Sequence, residues 1–291
     1  MAMSSDADAA SAFLAAETAA DEDSGVASRL PSIFLHLLAA WTEGNHAAAA
    51  EEAARRIHAD YCDVYLPSDP LMRGLDDKGM AGFLNRLYEL IFFQVRLVGY
   101  DDARQDALVE TLLELRKLPP QSLKIWGEDC IVYVNDPVFV TVGEDNWNGN
   151  FPNDIFEQDD ESAKADYQRK CNEWVNFSAF LARCTAAGIY DRYDDRFKYP
   201  SVDIPLALEE RLPEGNLREC RLMVAALWIL HAARAIYDDL IKVDKEGWNV
   251  KKWSLWETKL REIENDAAAG PKLKSILGQT LAEMALISAT S

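Results

Sequence analysis

Apolar positions recur at three- and four-residue steps through most of the chain, with polar positions filling the gaps. The clearest run is 172–188, where Trp174, Phe177, Leu181 and Cys184 form a stripe that Phe180 and Ala187 widen. That pattern marks an amphipathic helix with a broad buried face. Gly188 stands where a helix commonly ends. Upstream, Ile33, Phe34, Leu37, Leu38 and Trp41 share one face of a first helix that Ser28 caps and Pro31 enters, and Gly44-Asn45 closes it. Residues 46–66 are alanine-rich with Glu51, Glu52, Arg55 and Arg56 on the wet side, and Pro67 and Pro70 break the helix. Residues 80–98 form the most hydrophobic helix. Asp101-Asp102 starts another to Leu118, with Leu108, Leu112 and Leu115 inward and Pro119-Pro120 as its stop.

Between Gln121 and Glu161 the helical period is lost. Ile131 to Val134 and Val138 to Val142 flank Asn135-Asp136-Pro137 and can pair as a short hairpin. Residues 143–161 hold Glu144, Asp145, Asp154, Glu157, Asp159, Asp160 and Glu161 without a Lys or Arg, a long irregular acidic loop of the kind that is either functional or disordered. A second polar connection spans 190–200, and helices are expected at 202–212, 217–241, 253–263 and 272–287. The resulting expectation is an all-α protein of eight or nine helices. It comprises a single helical domain at 28–291 behind a disordered acidic tail at 1–27, whose Ala, Ser, Asp and Glu leave few large apolar side chains to bury.

Composition narrows the functions open to such a fold. The chain of 291 residues carries a net charge of -19, which argues against a broad DNA- or RNA-binding face because phosphates need clustered Lys and Arg. The same charge suits a cationic ligand such as a guanidinium, and equally suits plain solubility. No apolar run is expected to cross a membrane, the longest being broken by Gln94 and Arg96. The five cysteines are odd in number and far apart, and the four histidines are scattered. That fits reduced thiols in a cytoplasmic protein, with no zinc site and no cofactor motif.

Several segments together carry a resemblance. They are Gln105-Asp106-Ala107-Leu108-Val109 with Leu118-Pro119-Pro120, Lys124-Ile125-Trp126-Gly127, the run from Glu173 to Arg183, and the run from Trp253 to Ile263. This set resembles a large fungal family of helical proteins catalogued as a domain of unknown function, and that family is similar to the arginine-containing cyclodipeptide synthases. The resemblance spans roughly Leu30 to Leu286. It implies an enzyme that takes arginyl-tRNA and a second aminoacyl-tRNA and joins the two amino acids as a diketopiperazine, with no metal, cofactor or membrane. An aminoacyl ester is already activated, so such an enzyme needs positioning, a proton acceptor and oxyanion support more than a strong nucleophile.

The resemblance also implies a DxxE motif, which here is Asp154-Ile155-Phe156-Glu157. On a helix both carboxylates share a face, where they can clamp a guanidinium or take a proton. The same spacing also suits a helix cap in a solvated loop. Trp174, Asn176 and Arg183 are the substrate-binding candidates, Asn176 and Arg183 being polar positions seven residues apart on an apolar helix. They serve equally well as partners between helices. For tRNA, Lys251, Lys252 and Trp253 belong to a stretch in which Lys242, Lys245, Lys259 and Arg261 interleave with Trp248 and Trp256. Lysines can hold phosphates and an exposed indole can stack on an unpaired base, or the tryptophans are core and the lysines a wet face. His231 reads as a core histidine. The alternative to an enzyme is a helical scaffold that binds a protein partner.

Overall fold

The computed structural model describes residues 5–24, 29–65, 78–150, 152, 161–190, 198–244 and 247–290. Among these residues are eleven α-helices, one π-turn and one two-stranded sheet, so the all-α class holds with more helices than expected. The chain divides into two compact units, Met1–Asn150 and Phe151–Ser291, where the sequence suggested one domain from residue 28.

In the first unit, α1 (Ser5–Ser24) occupies the stretch expected to be a disordered tail. Its docking has an identifiable basis. Ala10 and Leu14 are fully buried, Phe13 stacks on Phe93 with ring centres 4.1 Å apart, and Arg86 reaches Glu17 at 2.6 Å. The helix's two large apolar side chains, Phe13 and Leu14, together with Ala10 make the contact, and a preformed neighbour supplies the rest. Next come α2 (Leu30–Thr42) and α3 (His46–Asp60), and α3 runs directly into a π-turn at Tyr61–Tyr65. Ser28, the expected cap of α2, lies outside the described residues, and Arg29 stands at the cap position. Asp60 is buried beneath it, its two carboxylate oxygens accepting the Arg29 N–H at 3.2 Å. Helix α3 packs on α2 and on α5 (Arg104–Lys117), while α4 (Lys78–Leu97) packs on α6 (Pro137–Asn150) and on the π-turn.

The segment 121–150 departs from expectation. The hairpin pairs β1 (Ser122–Ile125) with β2 (Glu128–Ile131), so it precedes the predicted one and turns at Trp126-Gly127, both with positive φ. Two successive left-handed residues make the tight turn whose twist suits paired strands, and glycine takes the second position without steric cost. The residues expected as the returning strand are instead the start of α6. Asp136 and Pro137 form its N-terminus: the Asp136 Oδ1 accepts the Phe139 N–H at 3.2 Å, and Pro137 stands where a missing N–H costs nothing. Helix α6 also absorbs 143–150, the first part of the expected acidic loop.

In the second unit, α7 (Glu161–Ala186) extends the predicted amphipathic helix by three turns toward its N-terminus. It closes in a paired C-terminal motif. The Gly188 N–H donates to the Thr185 carbonyl at 3.1 Å and the Ile189 N–H to the Cys184 carbonyl at 2.9 Å, with Gly188 at φ +71°. Helix α9 (Gly215–Val243) packs along α7, α8 (Lys198–Leu208) and α11 (Pro271–Ala289), and α10 (Lys251–Glu264) lies on α11. Helix α9 is long and apolar enough to cross a membrane by length and composition alone, and 67% of its most apolar stretch is buried in this unit. Two side-chain bonds clamp it there: the Cys220 thiol donates to the Cys171 carbonyl at 3.5 Å, and the Thr280 hydroxyl to the Ala226 carbonyl at 3.1 Å.

The docking of α1 is tested by Leu14→Ala. A docked helix loses roughly 2 to 5 kcal/mol of stability from the truncated core side chain, measured by urea unfolding, whereas a free tail loses none.

Candidate functional site

The two carboxylates of the DxxE motif, Asp154 and Glu157, lie outside the described residues. The other candidates are all in the second unit. Trp174 is a core residue, 2% exposed, with its ring 6.1 Å from Phe177. Asn176 is buried on the same helix. Arg183 is half-buried, its Nη1 donating to the Ala179 carbonyl at 3.4 Å, and it faces His231 of α9. Burial, and after it the Arg183 charge, pulls the His231 imidazole down to about 3, so the ring is neutral across the physiological range. Its Nε2 is buried with no hydrogen-bond partner among the described residues, and the next residue, Ala232, breaks the helical backbone of α9. This placement brings one predicted residue, Arg183, against a histidine that the sequence suggested was a satisfied part of the core.

The predicted tRNA stretch is turned differently from a stacking platform. Trp253 is 2% exposed, donates its indole N–H to the Ser288 hydroxyl at 3.2 Å and meets Tyr237 edge-on. Trp256 is buried and donates to Glu209 Oε1 at 2.8 Å, and the half-buried Trp248 donates to Asp239 at 2.8 Å. Lys252 is engaged by the other oxygen of Glu209, Lys259 pairs with Glu262 at 3.0 Å, and Arg261 pairs with Glu257 at 2.7 Å. Lys251 is exposed at the start of α10. Trp253 and Trp256 are therefore core side chains, Trp248 and Trp256 are anchored by carboxylates, and the charged side chains of this stretch are engaged by their acidic neighbours or face solvent.

A second constellation, in the first unit, escaped sequence reasoning. His58 and Cys62 are four residues apart where α3 passes into the π-turn, with Cys62 Sγ 3.8 Å from His58 Nε2. His58 Nδ1 lies 3.3 Å from the hydroxyl of Tyr133, a residue 75 positions further along, whose ring meets the imidazole edge-on. Tyr133 holds φ +63°, unfavourable for a bulky side chain. What holds it there is Asp136, whose Oδ2 accepts both the Tyr133 N–H at 3.1 Å and the Tyr88 hydroxyl at 2.9 Å. The same loop is pinned by Asn135 Oδ1, which accepts the Ile131 N–H at 2.7 Å, and by Arg116, which donates to the Val134 carbonyl at 2.9 Å.

The electrostatics of this cluster follow from burial. Removal from water pushes the Asp136 carboxyl up to about 6, and the donated bonds from Tyr88, Phe139 and Tyr133 offset only part of that. Burial lowers His58 and raises Cys62, the latter with help from the Asp63 charge, so imidazole and thiol both rest uncharged. Among the described residues no three His, Cys, Asp or Glu side chains converge to hold a metal ion. The i, i+4 spacing of His58 and Cys62 was visible in the sequence; their partner Tyr133 was not.

Residues 88–260, more than half of the chain, match the family model described as Protein of unknown function (DUF3632), and the chain belongs to that family. No curated protein and no solved structure matches it.

Two buried groups give the units opposite responses to acid. His231 is lowered from the ordinary histidine value, so its contribution is complete above about 6.5 and is lost as pH falls toward 3. Asp136 is raised, so its contribution is complete below about 4 and is lost as pH rises through 6. The stability advantage of the wild type over His231→Gln should therefore shrink by about 2 kcal/mol between pH 7 and pH 5 in urea unfolding. Its advantage over Asp136→Asn should grow over the same interval.

Proposed function

We propose that this protein joins arginine to a second amino acid as a cyclic dipeptide, drawing both from aminoacyl-tRNAs. The observation that carries this reading is the resemblance of several separated segments to the fungal family of unknown function, a family that is itself similar to the arginine-containing cyclodipeptide synthases. Those segments fall on α5, on the Trp126-Gly127 turn, on the apolar half of α7 and on α10. In this reaction the α-amino group of one aminoacyl ester attacks the ester carbonyl of the other, releasing one tRNA, and the N-terminal amine of the resulting dipeptidyl ester attacks the remaining ester carbonyl and closes the ring. Each step breaks a C–O bond to a tRNA 3′ end and forms a C–N bond. The protein must bind the two esters, accept a proton from the attacking amine and support the oxyanion.

In this reading Asp154 and Glu157 supply the proton acceptor or hold the arginine guanidinium through paired charge-assisted bonds. Arg183 and Asn176 are the substrate-binding candidates of α7. Trp174 and Trp253 act through packing, because both are core side chains. Lys251 is the exposed member of the predicted tRNA set, and Lys252 is held by Glu209.

The test is expression in a host that supplies its own charged tRNAs, with mass spectrometry of the extract for cyclo-arginine dipeptides. The wild type should yield a product that Asp154→Ala and Glu157→Ala abolish while remaining folded by circular dichroism. Lys251→Ala should lower the yield more than Lys252→Ala. No product across the full set of amino acids from soluble, folded protein overturns the assignment.

A further inference from the structure

We propose that Cys62 is the nucleophile of an acyl-transfer site in the first unit, with His58 as its proton carrier and Tyr133 as a positioning residue. The dipeptide synthesis above does not draw on these side chains, yet their arrangement has the order of an activated nucleophile: thiol, base, and a third group that orients the base. Cys62 Sγ lies 3.8 Å from His58 Nε2, and His58 Nδ1 lies 3.3 Å from the Tyr133 hydroxyl. In the tautomer that carries its proton on Nδ1, the imidazole donates to the Tyr133 oxygen and leaves Nε2 to accept from the thiol.

Three features set this trio apart from incidental packing. Cys62 is partly exposed, while Cys130, Cys171, Cys184 and Cys220 are buried, so it is the thiol a solute can reach. The helix widens into a π-turn at Tyr61–Tyr65, which carries Cys62, a distortion that concentrates at functional sites. Tyr133 is kept in a left-handed conformation by a buried carboxylate that takes its N–H, and a strained residue aimed at a base is an arrangement that a purely structural role does not require.

The chemistry is balanced for an activated ester. As Sγ attacks the carbonyl carbon, its proton passes to His58 Nε2. The S–C bond forms, the C–O bond to the leaving alcohol breaks, and the imidazole returns the proton to the departing oxygen, leaving a thioester on Cys62. Thiol and imidazole both rest uncharged, so the proton moves with the attack and not before it. The ligand class is an activated acyl ester. Its identification with the aminoacyl end of a tRNA rests on the dipeptide reading, whereas the nucleophile itself does not.

The experiment uses p-nitrophenyl acetate on the full chain, following p-nitrophenolate release and locating the acetyl group by peptide mass spectrometry. One acetyl group per chain should appear on Cys62, faster than on N-acetylcysteine at the same pH. Cys62→Ala should show none, and His58→Gln should slow the reaction by about a hundredfold, with added imidazole restoring part of the rate. Tyr133→Phe should slow it less and leave the imidazole rescue intact. Acetylation of Cys62 no faster than of N-acetylcysteine, or a His58→Gln rate equal to that of the wild type, overturns the proposal. The link to aminoacyl esters is tested separately in the expression assay. Dipeptide made by Cys62→Ala breaks that link and leaves the synthase assignment standing. Rapid acetylation of Cys62 in a wild type that makes no dipeptide keeps the nucleophile and removes the synthase.

Discussion

A carboxylate taken out of water must be met by donors, and both units are arranged around that requirement. In the first, Asp136 is fully buried and gathers the Tyr88 hydroxyl and the backbone N–H groups of Tyr133 and Phe139. In the second, the buried Asp203 takes the Trp228 indole at 2.9 Å and the buried Asp239 takes Trp248 at 2.8 Å. Loss of any such donor leaves an anion in a low-dielectric interior, a cost of about 1 to 3 kcal/mol for each bond. Tyr88 lies 48 residues from Asp136 and Trp228 lies 25 from Asp203, so those two bonds tie separate elements together, while the bonds from Tyr133, Phe139 and Trp248 fix local connections.

Asp136 shows how one such group serves structure and site together. Its Oδ1 caps α6, which sets where the hairpin connection ends and the helix begins. Its Oδ2 holds Tyr133 in a backbone conformation that it would not adopt alone, and this aims the phenol at His58. The strain in Tyr133, of order 1 to 3 kcal/mol, is sustained because the surrounding bonds over-determine it. In α7 the equivalent constraint is at the end of the helix, where Gly188 and Ile189 return their N–H groups to Thr185 and Cys184 and finish the apolar stripe against α9.

Much of the helical plan was legible in the chain. The stripe of Trp174, Phe177, Leu181 and Cys184 predicted the buried half of α7, and Gly188 its end, because both signals are local. The alanine-rich start of the helix expected at 46–66 and the Pro119-Pro120 stop behaved in the same way, while Pro67 and Pro70 lie outside the described residues. The misplaced hairpin has a physical reason. Val138, Phe139 and Val142 suit a strand by composition, but Asp136-Pro137 is also a helix start, and the capping bond won over β-propensity. Likewise α1 has too few large apolar residues to predict, and the burial of Ala10 and Leu14 with the contacts to Phe93 and Arg86 accounts for it.

Taken by itself, the sequence determined the helical class, most helix positions and the face each helix would bury, since these depend on spacings of three and four residues. Tertiary structure alone decided which neighbour covers each face. An indole is both an apolar body and a donor, so Trp253 could have lain open to a base or packed inward; Tyr237 and Ser288 settled it inward. Spacing shows that His58 and Cys62 share a helical edge. The third member of their chain arrives from a loop 75 residues away, held by a carboxylate whose role depends on burial, and burial is a property that no local pattern encodes.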